Sequence, residues 1–204
     1  MVAHQRYQAA IAEYAKAPQM SATIWNKMGI AYQMMFNAKD ATRCYRESLK
    51  LEPGNSEVLN NLGTVYASLK QYGQADRMYH KALKIEPHSA ITLKNLGTNL
   101  LAEHKYNKGW EAYKQAIAID PQIFADHTGP AVENVSGVQE RGAMNYYMAA
   151  GCASAGHTDC ALEYLRRALD EGFVTRKKVA SDSEFASLRS NPAFQQLIAE
   201  QSSQ

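Results

Sequence analysis

The chain has 204 residues, 22 Lys and Arg against 20 Asp and Glu, and 46% hydrophobic residues, a balance that supports a continuous apolar core and excludes disorder and collagen-like structure. Charges of both signs are spread along it, so no basic stripe is available to neutralise a row of phosphates and nucleic acid is not an expected partner. No stretch approaches the roughly 18 apolar residues of a membrane helix, and the opening Met1-Val2-Ala3-His4-Gln5-Arg6 lacks a signal peptide's apolar core. No membrane insertion is predicted, and the location expected is cytoplasmic as given, or periplasmic if an upstream signal was removed.

Residues 1–21 carry Tyr7-x-x-Ala10-x-x-x-Tyr14-x-x-Ala17, a helical spacing that matches the second helix of the units that follow, so a half-repeat is predicted there. From residue 22 the chain repeats every 34 residues: Gly29, Gly63 and Gly97 share one slot, and Pro53, Pro87 and Pro121 another. Units 22–55, 56–89 and 90–123 align without a gap, pairing Trp25, Leu59 and Leu93; Met28, Leu62 and Leu96; and Tyr45, Tyr79 and Tyr113. Each unit reads as two helices, with the glycine inside the first and Ala41 or Ala75 inside the second marking close backbone crossings. Each proline follows the apolar pattern of the second helix, where it ends one helix without breaking the next.

Residues 124–141, with Gly129-Pro130 and Gly137, are predicted to form an insertion loop. A degenerate fourth unit is predicted over 142–175, with Ala149, Gly156, Ala161, Leu165 and Ala168 in the small and apolar slots. The last stretch, 176–204, is expected to be a cap: Ser181-x-x-Glu184 as a capping box opening one short helix, and a second short helix starting at Pro192.

The pattern Trp25-x-x-Met28-Gly29-x-x-Tyr32, then Ala41-x-x-x-Tyr45, then Pro53 resembles the tetratricopeptide repeat, and the second and third units resemble it too through Leu62-Gly63, Tyr66, Ala75, Tyr79 and Pro87, and through Leu96-Gly97, Tyr113, Ala116 and Pro121. The resemblance implies an all-α fold: a single right-handed α-solenoid of helix-turn-helix repeats over residues 1–204, closed by short capping helices, with a concave surface lined by the first helix of every repeat. It also implies a non-catalytic scaffold that binds an extended peptide or partner segment in that concave groove. The alternative is a structural module that forms homo-oligomers through its ends, the N-terminal half-repeat included.

Positions on the first helices not needed for packing are the candidate site: Asn26, Lys27, Asn60, Asn61, Thr64, Lys94, Asn95, Thr98 and Tyr147, with Ile30, Gln33, Ala67, Leu101, Tyr146, Ala150 and Ala153 also counted as free. Asn61 and Asn95 share a slot, as do Thr64 and Thr98, which predicts a ladder of side-chain amides suited to the main chain of a peptide. No acid stands among these positions. The ladder resembles the grooves of tetratricopeptide arrays attached to protein glycosyltransferases, whereas Asn26 and Ile30 do not fit the lysine and asparagine clamp of chaperone-tail binders.

No catalytic group is expected. The six histidines, His4, His80, His88, His104, His127 and His157, have no metal-ligand spacing and are predicted to be surface residues, and no cofactor is predicted. Cys44 has no partner in view. Cys152 and Cys160 fall on facing helices of the fourth unit and are read first as small buried apolar residues, with a close approach as the alternative. Asn134-Val135-Ser136 matches a glycosylation triplet too short to carry weight.

Overall fold

The computed structural model describes residues 2–120, 122–123 and 138–199. Among them the regular structure is helical and no strand occurs: α1 Val2–Tyr14, α2 Ala22–Met34, α3 Ala38–Leu51, α4 Ser56–Ser68, α5 Tyr72–Ile85, α6 Ala90–Ala102, α7 Tyr106–Ile119, α8 Val138–Ser154, α9 Thr158–Asp170, α10 Arg176–Ser181, a 3-10 helix Ser183–Leu188, and α11 Pro192–Ala199. Most of the predicted insertion, including the 134–136 triplet and His127, lies outside the described residues. The boundary expected at 141/142 needs correction, because α8 already begins at Val138. The helices form two compact units, residues 1–96 and 97–204.

In the first unit α2 packs on α3, α4 on α5, α3 on α4, and α1 on α2. Side-chain caps start these helices where the sequence offers an oxygen: Ser21 Oγ accepts the Ile24 N–H at 3.2 Å, Asn37 Oδ1 that of Asp40 at 3.2 Å, and Asn55 Oδ1 that of Val58 at 3.1 Å. Each pair is locked by a ring set against a glycine. A methyl group on Gly29 would stand 2.5 Å from the Tyr45 ring, and one on Gly63 would stand 2.7 Å from the Tyr79 ring. The glycine therefore makes room for a fully buried tyrosine, which is a sharper reason than a general approach of two backbones. Behind each ring Ala41 and Ala75 are wholly buried. Ser48, in the slot held by Ala82 in the next repeat, donates its hydroxyl to the Ala22 carbonyl at 2.8 Å, so that polar atom is buried at little cost.

In the second unit Gly97 receives Tyr113 in the same way, and here Gly109 replaces the alanine, bringing an added methyl to 3.0 Å from the Gly97 carbonyl oxygen. This is a true backbone crossing. The α8–α9 pair has Ala149 and Leu165 in the glycine and tyrosine slots, both fully buried, and a disulfide joins Cys152 of α8 to Cys160 of α9. The reading of these cysteines as separate apolar residues is thereby corrected. The turns between paired helices share one feature: Phe36, Lys70 and His104 take the left-handed conformation at φ 57°, 58° and 59°, and Gly156 occupies the same slot at φ 78°. Only the fourth turn uses the residue that adopts this region without strain.

The tail departs from its predicted start. Thr175 caps α10 through Lys178 N–H, Ser181 ends that helix, and Asp182, not Ser181, caps the 3-10 segment by accepting the Glu184 N–H at 3.2 Å. Asn191 Oδ1 accepts from Ala193 and Phe194 to open α11 at Pro192. The 3-10 segment packs on α8, and α11 packs on α9 and α10, burying Phe185, Leu188, Phe194 and Leu197 in one core with Leu165, Ala168 and Val179.

Candidate functional site

The first helices of the first unit carry a row of amides joined from repeat to repeat. Asn95 Nδ2 donates to Asn60 Oδ1 at 3.0 Å, and Asn61 Nδ2 donates to Asn26 Oδ1 at a longer 3.5 Å. The rung is thus offset by one slot: the amide of one repeat reaches the preceding position of the repeat before it. Both acceptors are buried, Asn26 at 7% exposure and Asn60 at 6%, whereas both donors are half-buried. Asn26 spends its own Nδ2 on Glu57 Oε1 at 2.9 Å. An acid therefore stands at the end of the row, although none is present among the positions counted as the site. Nothing in the 34-residue register of the first helices signals it, because Glu57 lies in the opening turn of α4, where acids also serve the helix dipole.

Lys27 and Ile30 are exposed on α2, and Lys94 is half-buried beside Asn95 in the slot held by Asn26 and Asn60 in the other repeats. Thr64 is tied to its own helix pair: its hydroxyl donates to the Asn60 carbonyl at 3.1 Å and accepts from the Tyr79 hydroxyl at 3.4 Å. In the first repeat Ile30 stands where Thr64 would be, and Gln33 Oε1 takes the Tyr45 hydroxyl at 2.7 Å. Burial holds the Tyr45 and Tyr79 phenols above the ordinary range, Tyr45 with help from the nearby Glu57 charge. Ala67, counted as a free position, is buried.

Residues 56–89 match the tetratricopeptide repeat family. The second repeat is therefore a tetratricopeptide repeat. Its fold is similar to three solved structures: a crystal structure of MamA, at 20% identity and TM-score 0.56 over 81% of this chain and 88% of that one; a second crystal structure of MamA, at 19% and 0.56 over 88% and 87%; and MamA 41-end from Desulfovibrio magneticus RS-1, at 18% and 0.52 over 79% and 81%. None of the curated proteins matches it.

In the second unit, Thr98 Oγ1 lies 2.9 Å from the Tyr113 hydroxyl, repeating the Thr64–Tyr79 arrangement, and burial again pushes the phenol upward. Tyr147 lies in an aromatic cluster that sequence reading did not assemble: its ring stacks on Tyr106 at 6.3 Å and lies 5.9 Å from Trp110. Trp110 Nε1–H donates to Glu184 at 3.2 Å, and Tyr146 donates its hydroxyl to Asp182. Burial acts to raise the Asp182 carboxyl, but the bonds from Tyr146, the Glu184 N–H and Lys178 outweigh it and hold the group low. Leu101, Tyr146, Ala150 and Ala153, also counted as free, are all buried.

His80, His88 and His104 are exposed, but His157 is half-buried and its Nε2 has no hydrogen-bond partner. Among the described residues no three His, Cys, Asp or Glu side chains are gathered as metal ligands would be. Cys44 is buried, which pushes its thiol up to about 11 and leaves little nucleophilic thiolate.

Proposed function

We propose that the chain is a non-catalytic interaction scaffold that holds an extended peptide on the first-helix face of its first unit, along Asn26, Asn60, Asn61 and Asn95, with Lys27 and Lys94 beside them. The tetratricopeptide repeat is in general a protein-interaction fold without catalysis of its own. The observation that carries the reading is the bonded amide row. Asn61 and Asn95 each donate one Nδ2–H to the preceding repeat, which fixes the amide and leaves Oδ1 for an incoming main-chain N–H. The internal bonds fix the rotamers, which reduces the ordering cost of binding. Thr64 and Thr98 support the scaffold by satisfying tyrosine hydroxyls, and Tyr147 belongs to an aromatic core.

Hydrogen exchange with and without a peptide traced from a captured partner tests the reading. Added protection is expected in α2, α4 and the first half of α6. Protection confined to α3, α5 or the tail would sink it.

Self-assembly is a second reading, favoured by α1: it packs on α2, yet Tyr7, Ile11 and Tyr14 remain only half-buried along one side. Light scattering over a range of concentrations separates the two, since a mass that stays at one protomer removes the assembly reading.

A further inference from the structure

The first unit holds a second recessed surface that shares no residue with the amide row. It is a groove of about 820 Å³ between α3 and the end of α4, continued by the turn into α5. Lys39, Arg43, Arg46 and Lys50 line it from α3, at spacings that place all four on one helix face, and Glu47 is the one acid among the lining residues.

The cations are unequally used. Arg43 meets Asp40 at 3.2 Å and Lys50 meets Glu47 at 2.7 Å, exposed pairs that are easily exchanged. Arg46 donates to the Tyr66 hydroxyl at 2.8 Å, a neutral partner that orients the guanidinium without cancelling its charge. Lys39 is exposed and has no ion-pair partner among the described residues. Seven residues separate Lys39 from Arg46, about 10 Å along the helix at its ordinary rise. Between the cations and the turn lies Leu69, 46% exposed.

This short stripe corrects the expectation from the evenly spread charge that no basic stripe would form, and it is not a requirement of the repeat. The same slots hold Gly73, Arg77, His80 and Lys84 in the second repeat, and Asn107, Glu111, Lys114 and Ala118 in the third. The surroundings reinforce it: residues 1–96 contain twelve Lys and Arg against seven Asp and Glu, whereas residues 97–204 contain ten against thirteen.

We infer that this groove docks an acidic protein segment bearing an apolar side chain, its carboxylates meeting Lys39 and Arg46 and its apolar residue covering Leu69. Charge complementarity selects the occupant. A single-stranded nucleic acid is disfavoured because Tyr66, the one aromatic residue lining the groove, is buried and presents no ring face on which a base could stack. The inference is independent of the amide row, and either surface can fail alone.

The test is fluorescence anisotropy of the full chain with a labelled twelve-residue peptide of glutamates carrying one central leucine, beside an all-glutamate peptide and a single-stranded RNA of equal length. Lys39→Glu with Arg46→Glu should weaken the leucine peptide by roughly tenfold or more, since two attractive contacts become repulsive. The neutral pair Lys39→Gln with Arg46→Gln should lose less, and serves if charge reversal disturbs folding. Lys81→Glu with Lys84→Glu, on α5 outside the groove, should stay within about twofold. Leu69→Ala should weaken the leucine peptide alone. An equal loss in the α5 pair, an unaltered affinity in both Lys39/Arg46 pairs, no binding by the parent chain at low salt, or RNA binding in place of the peptide would each overturn the inference.

Discussion

Gly63 and Gly73 are ten residues apart and do opposite work. At Gly63 a methyl group would meet the Tyr79 ring at 2.7 Å, and that ring is wholly buried with its hydroxyl at Thr64. At Gly73, in the first turn of α5, nothing lies within 4 Å. Gly63→Ala should cost about 1–3 kcal/mol by overpacking, whereas Gly73→Ala should add about 0.4–1 kcal/mol because alanine narrows the unfolded ensemble and suits a helix. Thermal melts of the two variants check the opposed signs. The 34-residue period made the glycine slot visible in the sequence, but not what fills it, since the tyrosine sixteen residues on is brought there only by the helix hairpin. The amide row was legible in the same partial way. Shared slots pointed to Asn61 and Asn95, but the offset bonds to Asn26 and Asn60 depend on how each repeat rotates against the one before it.

Among the elements, the α8–α9 pair departs furthest from the repeat pattern and shows a compensation. It lacks the glycine–tyrosine wedge, and Cys152 stands in the slot of Tyr32 and Tyr66; in place of that packing it has a disulfide across the turn, with a sequence separation of 8. Closing so short a loop contributes about 2–3 kcal/mol on a chain-entropy basis. Reduction, or Cys152→Ser with Cys160→Ser, should therefore lower the melting temperature by several degrees, and the two treatments should agree. A melt unmoved by reductant would show that the pair holds without its staple. Sequence reading put plain burial first, because two cysteines on facing helices are compatible with a bond but only the register of the hairpin brings their sulfurs together. The tail was read more fully. Phe185, Leu188, Phe194 and Leu197 all reach the core, although the cap moved from Ser181 to Asp182 because α10 ends there. Truncation after Ala180 removes Phe185, Leu188, Phe194 and Leu197, each contributing roughly 1.5–3 kcal/mol. Calorimetry should show the second unit melting well below its parent; an unchanged transition would make the tail dispensable.

Across the molecule, the repeat places one buried ionisable ring in each of three helix pairs, and this shapes stability against pH. Burial raises the phenols of Tyr45, Tyr79 and Tyr113 above their ordinary value of 10.0, and raises the Cys44 thiol from 9.0 to about 11. In the unfolded chain these groups lose protons at their ordinary values, so above that pH the unfolded state binds fewer protons than the folded one. The Cys44 contribution is complete below pH 9 and falls between 9 and about 11, whereas that of the three tyrosines is complete below pH 10 and goes on falling beyond 11 until their own raised values are passed, each by up to about 1.4 kcal/mol per pH unit. Helical circular dichroism should be steady up to pH 8.5 and collapse above pH 10, together with a rise of phenolate absorbance. Titration of all tyrosines before any loss of helix would contradict the burial. The same economy governs the proposed binding face, where amides already bonded between repeats are held ready for a peptide backbone. The most direct test is calorimetric titration of a captured partner's peptide into the parent chain and into Asn61→Ala with Asn95→Ala, with melts run alongside. The double variant should bind about 5- to 100-fold more weakly while losing about 2–6 kcal/mol of stability, since each of two buried acceptors is left unsatisfied at about 1–3 kcal/mol. Undiminished affinity in a folded double variant would contradict the account and remove the amide row as the binding surface.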